Sequence, residues 1–349
     1  MVGSVDVKKT LFASLLVVAA LSGAAAEPVG LVLSGGGAKG AYEVGVWKAL
    51  CEAGVADRIT VFSGTSVGAI NAALLASVRD PDKCAQIWRE EVSGAFVCNT
   101  NAVRDAVQST LNDLDTMIRE VKKDKKPDEE LTRSDWIKIC SLVATSAILK
   151  LGKQGNEAMQ GPSNTVGVCD SSRLRDALRR TLPERWSARS PVVYAMAVAK
   201  ARGEARSFKL NGNVRERVID CVMASAAIPG VFESVEIDGV AYVDGGYEQR
   251  GGDNAPLKPV CENHPEVKTV IVVYLNGEER IKRRVAAALF PDVKIVEIIP
   301  SQDIGGRFLG LQGVVDCSPE KVESLISLGY SDAKRVLKEN AEVCSPLKR

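Results

Sequence analysis

Two strand–turn–helix units follow one another within residues 29–78, and that order narrows the possible folds more than anything else in the chain. Val29–Leu33 is a short apolar run rich in β-branched residues, as a buried strand requires. Gly35, Gly36, Gly37 and Gly40 come next. From Tyr42 to Ala53 the apolar residues Val44, Val46, Trp47 and Leu50 recur at helical spacing, and Gly54 closes the segment as glycine often does past a helix end. The pattern then repeats, with a strand at Ile59–Phe62, a tight turn at Ser63–Gly68 and a strongly apolar helix at Ala69–Val78. A strand that returns parallel to its neighbour needs a crossover, usually helical. The order therefore predicts a three-layer α/β/α domain, with a mostly parallel central sheet and helices on both faces.

The same rhythm resumes later. Val192–Ala199, Val267–Leu275 and Val293–Ile298 read as strands, Val218–Ala227 as a buried helix stopping before Pro229, and Pro319–Lys338 as a terminal helix. Val231–Ile237 and Val240–Val243 read as two strands joined at Asp238-Gly239, a hairpin dipeptide. Residues from about 93 to 168 break the rhythm. Val103, Val107, Leu111, Leu114, Ile118 and Val121 share one helix face, and Lys122, Lys123, Lys125 and Lys126 follow them. A second apolar stretch runs from Trp136 to Leu151. This region is expected to be a helical insertion within a single domain spanning 27–349. Its helices either seal against the core or form a flap that touches a membrane surface transiently, lysines toward anionic head groups.

Residues 1–26 have the parts of a cleavable export signal: Lys8 and Lys9, an apolar run from Leu11 to Leu21, then Ala24, Ala25 and Ala26. The apolar run is short for a membrane span, which needs about 20 residues. A secreted or periplasmic protein beginning near Glu27 is expected. In such a compartment some of the nine cysteines should be oxidised to disulfides, and the odd count leaves at least one over. No two cysteines stand in a C-x-x-C spacing, so no metal site is suggested. A net charge of +1 and an aromatic content of 5% argue against nucleic acid as a partner.

Gly64-Thr65-Ser66-Val67-Gly68 is a G-x-S-x-G pentapeptide between a strand and a helix, where such a motif carries chemistry. A nucleophile on so sharp a turn needs little bulk on either side, which Gly64 and Gly68 provide. The helix start behind Ser66 favours negative charge. Gly35–Gly40 forms a second glycine-rich helix start, whose N–H groups can hold an anion. It matches G-x-G-x-x-G at Gly35, Gly37 and Gly40, the dinucleotide fingerprint, but the next strand leads into Gly64–Gly68 and not to the acidic residue a dinucleotide site wants. An oxyanion hole serving Ser66, built from Gly35, Gly36, Gly37 and Val67, uses both motifs together. Asp244-Gly245-Gly246 places an aspartate at a strand end with room for another backbone beside it, and Asp244 can act as base to Ser66. His264, the one histidine, lies before Pro265 in a polar turn and reads as a surface loop residue.

Taken together, Gly35–Gly40, Gly64–Gly68 and Asp244–Gly246 resemble the patatin-like phospholipase family. Ala224–Phe232 is similar to the apolar segment that precedes the family's aspartate motif, and Gly329–Ala333 to its terminal helix. The resemblance implies a Ser66–Asp244 dyad without histidine, an acyl-enzyme intermediate, no cofactor or metal, and lipid or phospholipid acyl esters as substrates. The chain departs from the family pattern in the long 93–168 region and in Tyr247–Asp253, which intervene before Asn254 and Pro256. A non-catalytic lipid-binding or host-interaction protein on the same fold, and a dinucleotide-binding oxidoreductase, are the alternative readings.

Overall fold

The computed structural model describes residues 27–95, 97–98, 169–188, 190–229, 232–247, 251–275, 288–305 and 316–344, together with Ile118, Arg119, Val121 and Thr132. The leader at 1–26, the helix face Val103–Leu114 and the stretch Trp136–Leu151 lie outside the described residues.

The first strand, β1 (Val29–Leu33), runs into the glycine loop and helix α1 (Ala41–Glu52). Strand β2 (Ile59–Thr65) and helix α2 (Val67–Val78) follow. A short helix α3 (Pro81–Ile87) leads to β3 (Val97–Cys98), and the described chain resumes at β4 (Cys169–Asp170) and α4 (Ser172–Thr181). Then come β5 (Val192–Ala199), β6 (Glu204–Lys209), α5 (Arg215–Ser225), β7 (Val235–Ile237) and β8 (Val240–Asp244). The last part holds α6 (Lys258–Asn263), β9 (Thr269–Val273), β10 (Lys294–Ile298) and α7 (Pro319–Glu339).

The main sheet has the order β10-β9-β1-β2-β5-β8-β7, with β6 also paired to β5. The run from β10 to β5 is parallel, and the β5–β6, β5–β8 and β8–β7 pairings are antiparallel. The parallel centre is buried on both sides, which is why its strands read as unbroken apolar runs. Val29, Leu31 and Leu33 pack on one face with α1, α2 and α7. Val32, Val61, Tyr194, Val270 and Val272 pack on the other with Leu257 and Val260. The sheet order thus confirms the α/β reading with its mostly parallel centre.

Three local differences from the sequence reading have physical causes. Strand β2 continues through Ser63, Gly64 and Thr65, where the sequence suggested a turn, because those residues pair in register with Tyr194, Ala195 and Met196 of β5. Strand β6 has no signature in the sequence: only one of its six residues is buried, so the apolar alternation that marks a half-buried strand is missing. Among the described residues of the expected Val231–Ile237 strand, only Val235–Ile237 pairs as one. The hairpin at Asp238-Gly239 forms as expected, with both residues at positive φ (54° and 73°). The terminal helix is tied to the head of α1: Tyr42 Oη donates to Asp332 Oδ2 at 3.1 Å, and Ser301 N–H donates to the same oxygen at 2.9 Å.

Candidate active site

Ser66 stands between the last residue of β2 and the first of α2, at φ 56° and ψ −126°. A non-glycine residue held there costs on the order of 1–3 kcal/mol, which the packing around it must offset. The elbow can be this sharp because its glycines let backbone touch backbone. A Cβ on Gly64 would come within 2.1 Å of the Gly68 carbonyl oxygen, and one on Gly68 within 2.2 Å of that of Leu33. Ser66 therefore sits at the C-terminal end of β2 and at the positive end of α2.

Asp244 reaches the same place from a different direction. Thr65 lies opposite Met196 of β5, and Asp244 lies opposite Ala197. The two candidate residues thus flank one strand at neighbouring levels. The Asp244 N–H donates to Ala227 O at 2.9 Å, and Gly246 N–H donates to Asp244 Oδ1 at 2.7 Å. Burial pushes the Asp244 carboxyl up to about 6, while hydrogen bonding from Ser66 and from the Gly246 N–H pulls it down. The Ser66 hydroxyl is close enough to favour the carboxylate, yet Oδ2 is buried without a hydrogen bond of full geometry. The contact is a loose one, and such bonds commonly tighten only with substrate bound. Ser66 and Asp244 are only 6% and 7% exposed, so a proton passing between them is poorly screened by water.

The glycine loop lies against the elbow. A Cβ on Gly35 would sit 3.1 Å from that of Ser66. The Gly35 N–H donates to Asn254 O at 3.1 Å, so it anchors the loop and is not free to meet an anion. Of the four donors expected from sequence, Gly35 is thus already engaged, and the N–H groups of Gly36, Gly37 and Val67 remain the candidates. Gly37 has φ 60°, a conformation that a bulky or β-branched residue resists. The 251–255 turn holds both motifs: Asn254 Nδ2 donates to Gly35 O at 3.4 Å, and Thr65 Oγ1 donates to Asp253 O at 2.7 Å. Among the described residues no cluster of His, Cys, Asp and Glu is placed to hold a metal ion.

Residues 31–265, more than half of the chain, match the family described as patatin-like phospholipase. The chain belongs to the patatin-like phospholipase family. Over 54 residues it is 59% identical to lysophospholipase nte1 of Aspergillus terreus, a stretch that is 16% of this chain and 3% of that much longer protein. Among solved structures it is similar to VipD of Legionella pneumophila, at 16% identity and a TM-score of 0.47, covering 90% of this chain and 67% of that one. It is also similar to human GIVD cytosolic phospholipase A2, at 11% identity and a TM-score of 0.45, covering 91% and 62%.

Within this patatin-like site, two polar residues do work that the sequence did not single out. Ser225, at the end of α5, accepts the Ser66 N–H on its Oγ at 2.9 Å and donates to Met196 O. Its carbonyl accepts the Gly245 N–H at 3.2 Å. One serine thereby ties the elbow, strand β5 and the aspartate loop together. Asn71, a turn into α2, donates to Gly40 O at 2.9 Å and to Glu43 Oε2 at 2.7 Å, and accepts the Trp88 Nε1–H at 2.6 Å. Burial behind the glycine loop raises the Glu43 carboxyl well above the usual range, while its hydrogen bond from Asn71 works against that shift. The signal available in the sequence was a lone polar residue in an otherwise apolar helix, which without partners carries no assignment.

His264 differs from its sequence reading. It is not a surface loop residue: its side chain is 12% exposed, and its ring nitrogens bond Tyr194 Oη and Glu266 Oε1, each at 3.1 Å. Those partners are not Ser66 or Asp244. Ser225→Ala is expected to lower kcat by about 10–100-fold, the scale for a reacting group displaced by a fraction of an ångström to an ångström. KM should change little and Ser225→Thr should recover part of the loss. Steady-state kinetics beside thermal melts decide it; unchanged kcat in a folded Ser225→Ala enzyme removes Ser225 from the positioning of the elbow.

Proposed function

We propose that the protein hydrolyses fatty-acyl esters of phospholipids or lysophospholipids through a Ser66–Asp244 dyad. The observation that carries the proposal is the strained Ser66, held at a helix N-terminus beside a buried carboxyl whose Oδ2 has no other partner. In this reaction the Asp244 carboxylate takes the Ser66 proton as Oγ attacks the ester carbonyl. The N–H groups of Gly36, Gly37 and Val67 stabilise the resulting oxyanion. Asp244 returns its proton to the leaving alcohol oxygen and a Ser66 acyl ester remains. Water, deprotonated by the same carboxylate, then releases the fatty acid. An ester of a hydrophobic acid suits a site this dry, and the lysophospholipase name of the matched Aspergillus terreus protein points to the same substrate class.

An exported location, following from residues 1–26, and transient contact with a lipid surface belong to the same proposal. The test is labelling by an alkyl fluorophosphonate, followed by a panel of phosphatidylcholine, lysophosphatidylcholine and triacylglycerol with fatty-acid release as readout. Stoichiometric labelling at Ser66 with release from at least one phospholipid is expected. A folded protein that neither labels nor releases fatty acid would be a lipid-binding member of the family and not an enzyme.

A further inference from the structure

We propose that Asn71 is a positioning residue that holds the two halves of the oxyanion hole in register. The inference rests on the Ser66–Asp244 reading and goes beyond it, because the three hydrogen bonds of the Asn71 amide go to neither residue. One half of the hole is the Val67 N–H at the start of α2. The other is the Gly36 and Gly37 N–H pair ahead of α1. The halves belong to different strand–helix units, so a contact between those units must fix the distance between them.

Asn71 lies one helical turn after Val67 and carries the one polar side chain between Val67 and Ala76. It is completely buried, as are its partners Glu43 and Trp88. A buried amide is costly unless its polar atoms are bonded, and here both ends are. Nδ2 donates to Gly40 O at 2.9 Å and to Glu43 Oε2 at 2.7 Å, while Oδ1 accepts the Trp88 Nε1–H at 2.6 Å. An indole N–H can only donate and a carbonyl can only accept, so the amide has one orientation. Both of its N–H bonds enter the beginning of α1, and Trp88, directly after α3, keeps the amide from turning over.

Gly40 ends the turn Gly37–Gly40, so the bond to its carbonyl acts on the same turn that carries the Gly37 N–H. This seat has no slack. A Cβ on Gly40 would come within 2.4 Å of Val67 Cγ2, 3.0 Å of Trp88 Cζ2 and 3.1 Å of Asn71 Nδ2. The glycine turn therefore packs against the side chain of the residue whose N–H forms the other half of the hole. An apolar residue at position 71 would fill the space without giving direction, whereas a fully bonded buried network rigidifies what it joins. Oxyanion donors act by being in place before charge develops, so a slip of about an ångström between the halves is felt in the rate.

The experiment compares the full wild-type chain with Asn71→Ala, Glu43→Gln and Glu43→Met. Active sites are titrated with an alkyl fluorophosphonate, so that kcat refers to labelled Ser66 alone. The second probe is an alkyl trifluoromethyl ketone, to which a serine adds to give a tetrahedral oxyanion. Asn71→Ala is expected to lower kcat by about 10–100-fold and to weaken the ketone by the same factor, with KM for a soluble ester unchanged. Glu43→Gln keeps an acceptor for Asn71 Nδ2 and should keep most of the activity. Glu43→Met removes that acceptor and should show a smaller loss, again shared between kcat and the ketone. Normal kcat per labelled site in Asn71→Ala, or a loss of kcat without weaker ketone binding, overturns the proposal. If Asn71→Ala does not fold, the Glu43 pair decides, and Glu43→Met as active as Glu43→Gln overturns it. Wild type that neither labels nor turns over would instead remove the Ser66–Asp244 reading, and this inference with it.

Discussion

Ser66→Ala is expected to lower kcat on a soluble ester by about 10⁵–10⁶-fold, the range seen when a serine nucleophile is deleted. The substitution removes only Oγ, and the fold should survive because the Ser66 N–H keeps its bond to Ser225 Oγ. The strained φ of 56° remains with alanine. Ser66→Gly should be equally inactive yet more stable than Ser66→Ala, since glycine adopts that conformation without the same strain. Fluorophosphonate labelling, turnover and thermal melts measured on both variants test this. Residual turnover above about a thousandth of wild type, in protein free of contaminating esterase, would place the nucleophile elsewhere.

Asp244→Asn should be nearly as damaging, at about 10⁴-fold in kcat, because an amide cannot take the proton. Its effect on stability should have the opposite sign. Burial raises the folded carboxyl to about 6, whereas an unfolded aspartate titrates near ~3.9. Below both values the folded and unfolded chains hold the same proton, so Asp244 contributes no pH dependence there. As the pH rises from about 4 to about 6 the unfolded chain releases its proton first, and stability falls through that window. Above it the charged, buried carboxyl is a standing penalty. Asp244→Asn removes that penalty and should melt at or above the wild-type temperature at pH 8. Wild-type kcat/KM should rise with pH on a limb centred near about 6, where the base ionises. A limb near ~4, the ordinary aspartate range, together with a destabilised Asp244→Asn, would mean that Asp244 is a structural aspartate.

The positions of the two motifs were legible in the sequence because they depend on local physics. Apolar runs of strand length, glycines where the backbone must turn, and helical spacing directly behind them mark β1, α1, β2 and α2 without reference to the rest of the chain. Asp244 stood out by its place at a strand end before two glycines, but its proposed pairing with Ser66, 178 positions earlier, rested on the resemblance, since no local rule connects them. Strand β5 makes the connection physically, lying between β2 and β8 and setting Met196 and Ala197 opposite Thr65 and Asp244.

What the sequence determined by itself is the order of elements, the α/β class and the two glycine-lined helix starts, because periodicity and turn chemistry act over a few residues. Tertiary structure alone decided which N–H groups stay available. The Gly35 N–H is engaged by the Asn254 carbonyl, and the Ser66 N–H by Ser225 Oγ. It also decided that Asp244 is a dry carboxyl beside Ser66, that burial raises the Glu43 carboxyl behind the loop, and that His264 bonds Tyr194 and Glu266. Hydrogen-bond partners and burial are properties of segments far apart in the chain, and they exist only once the sheet has brought those segments together.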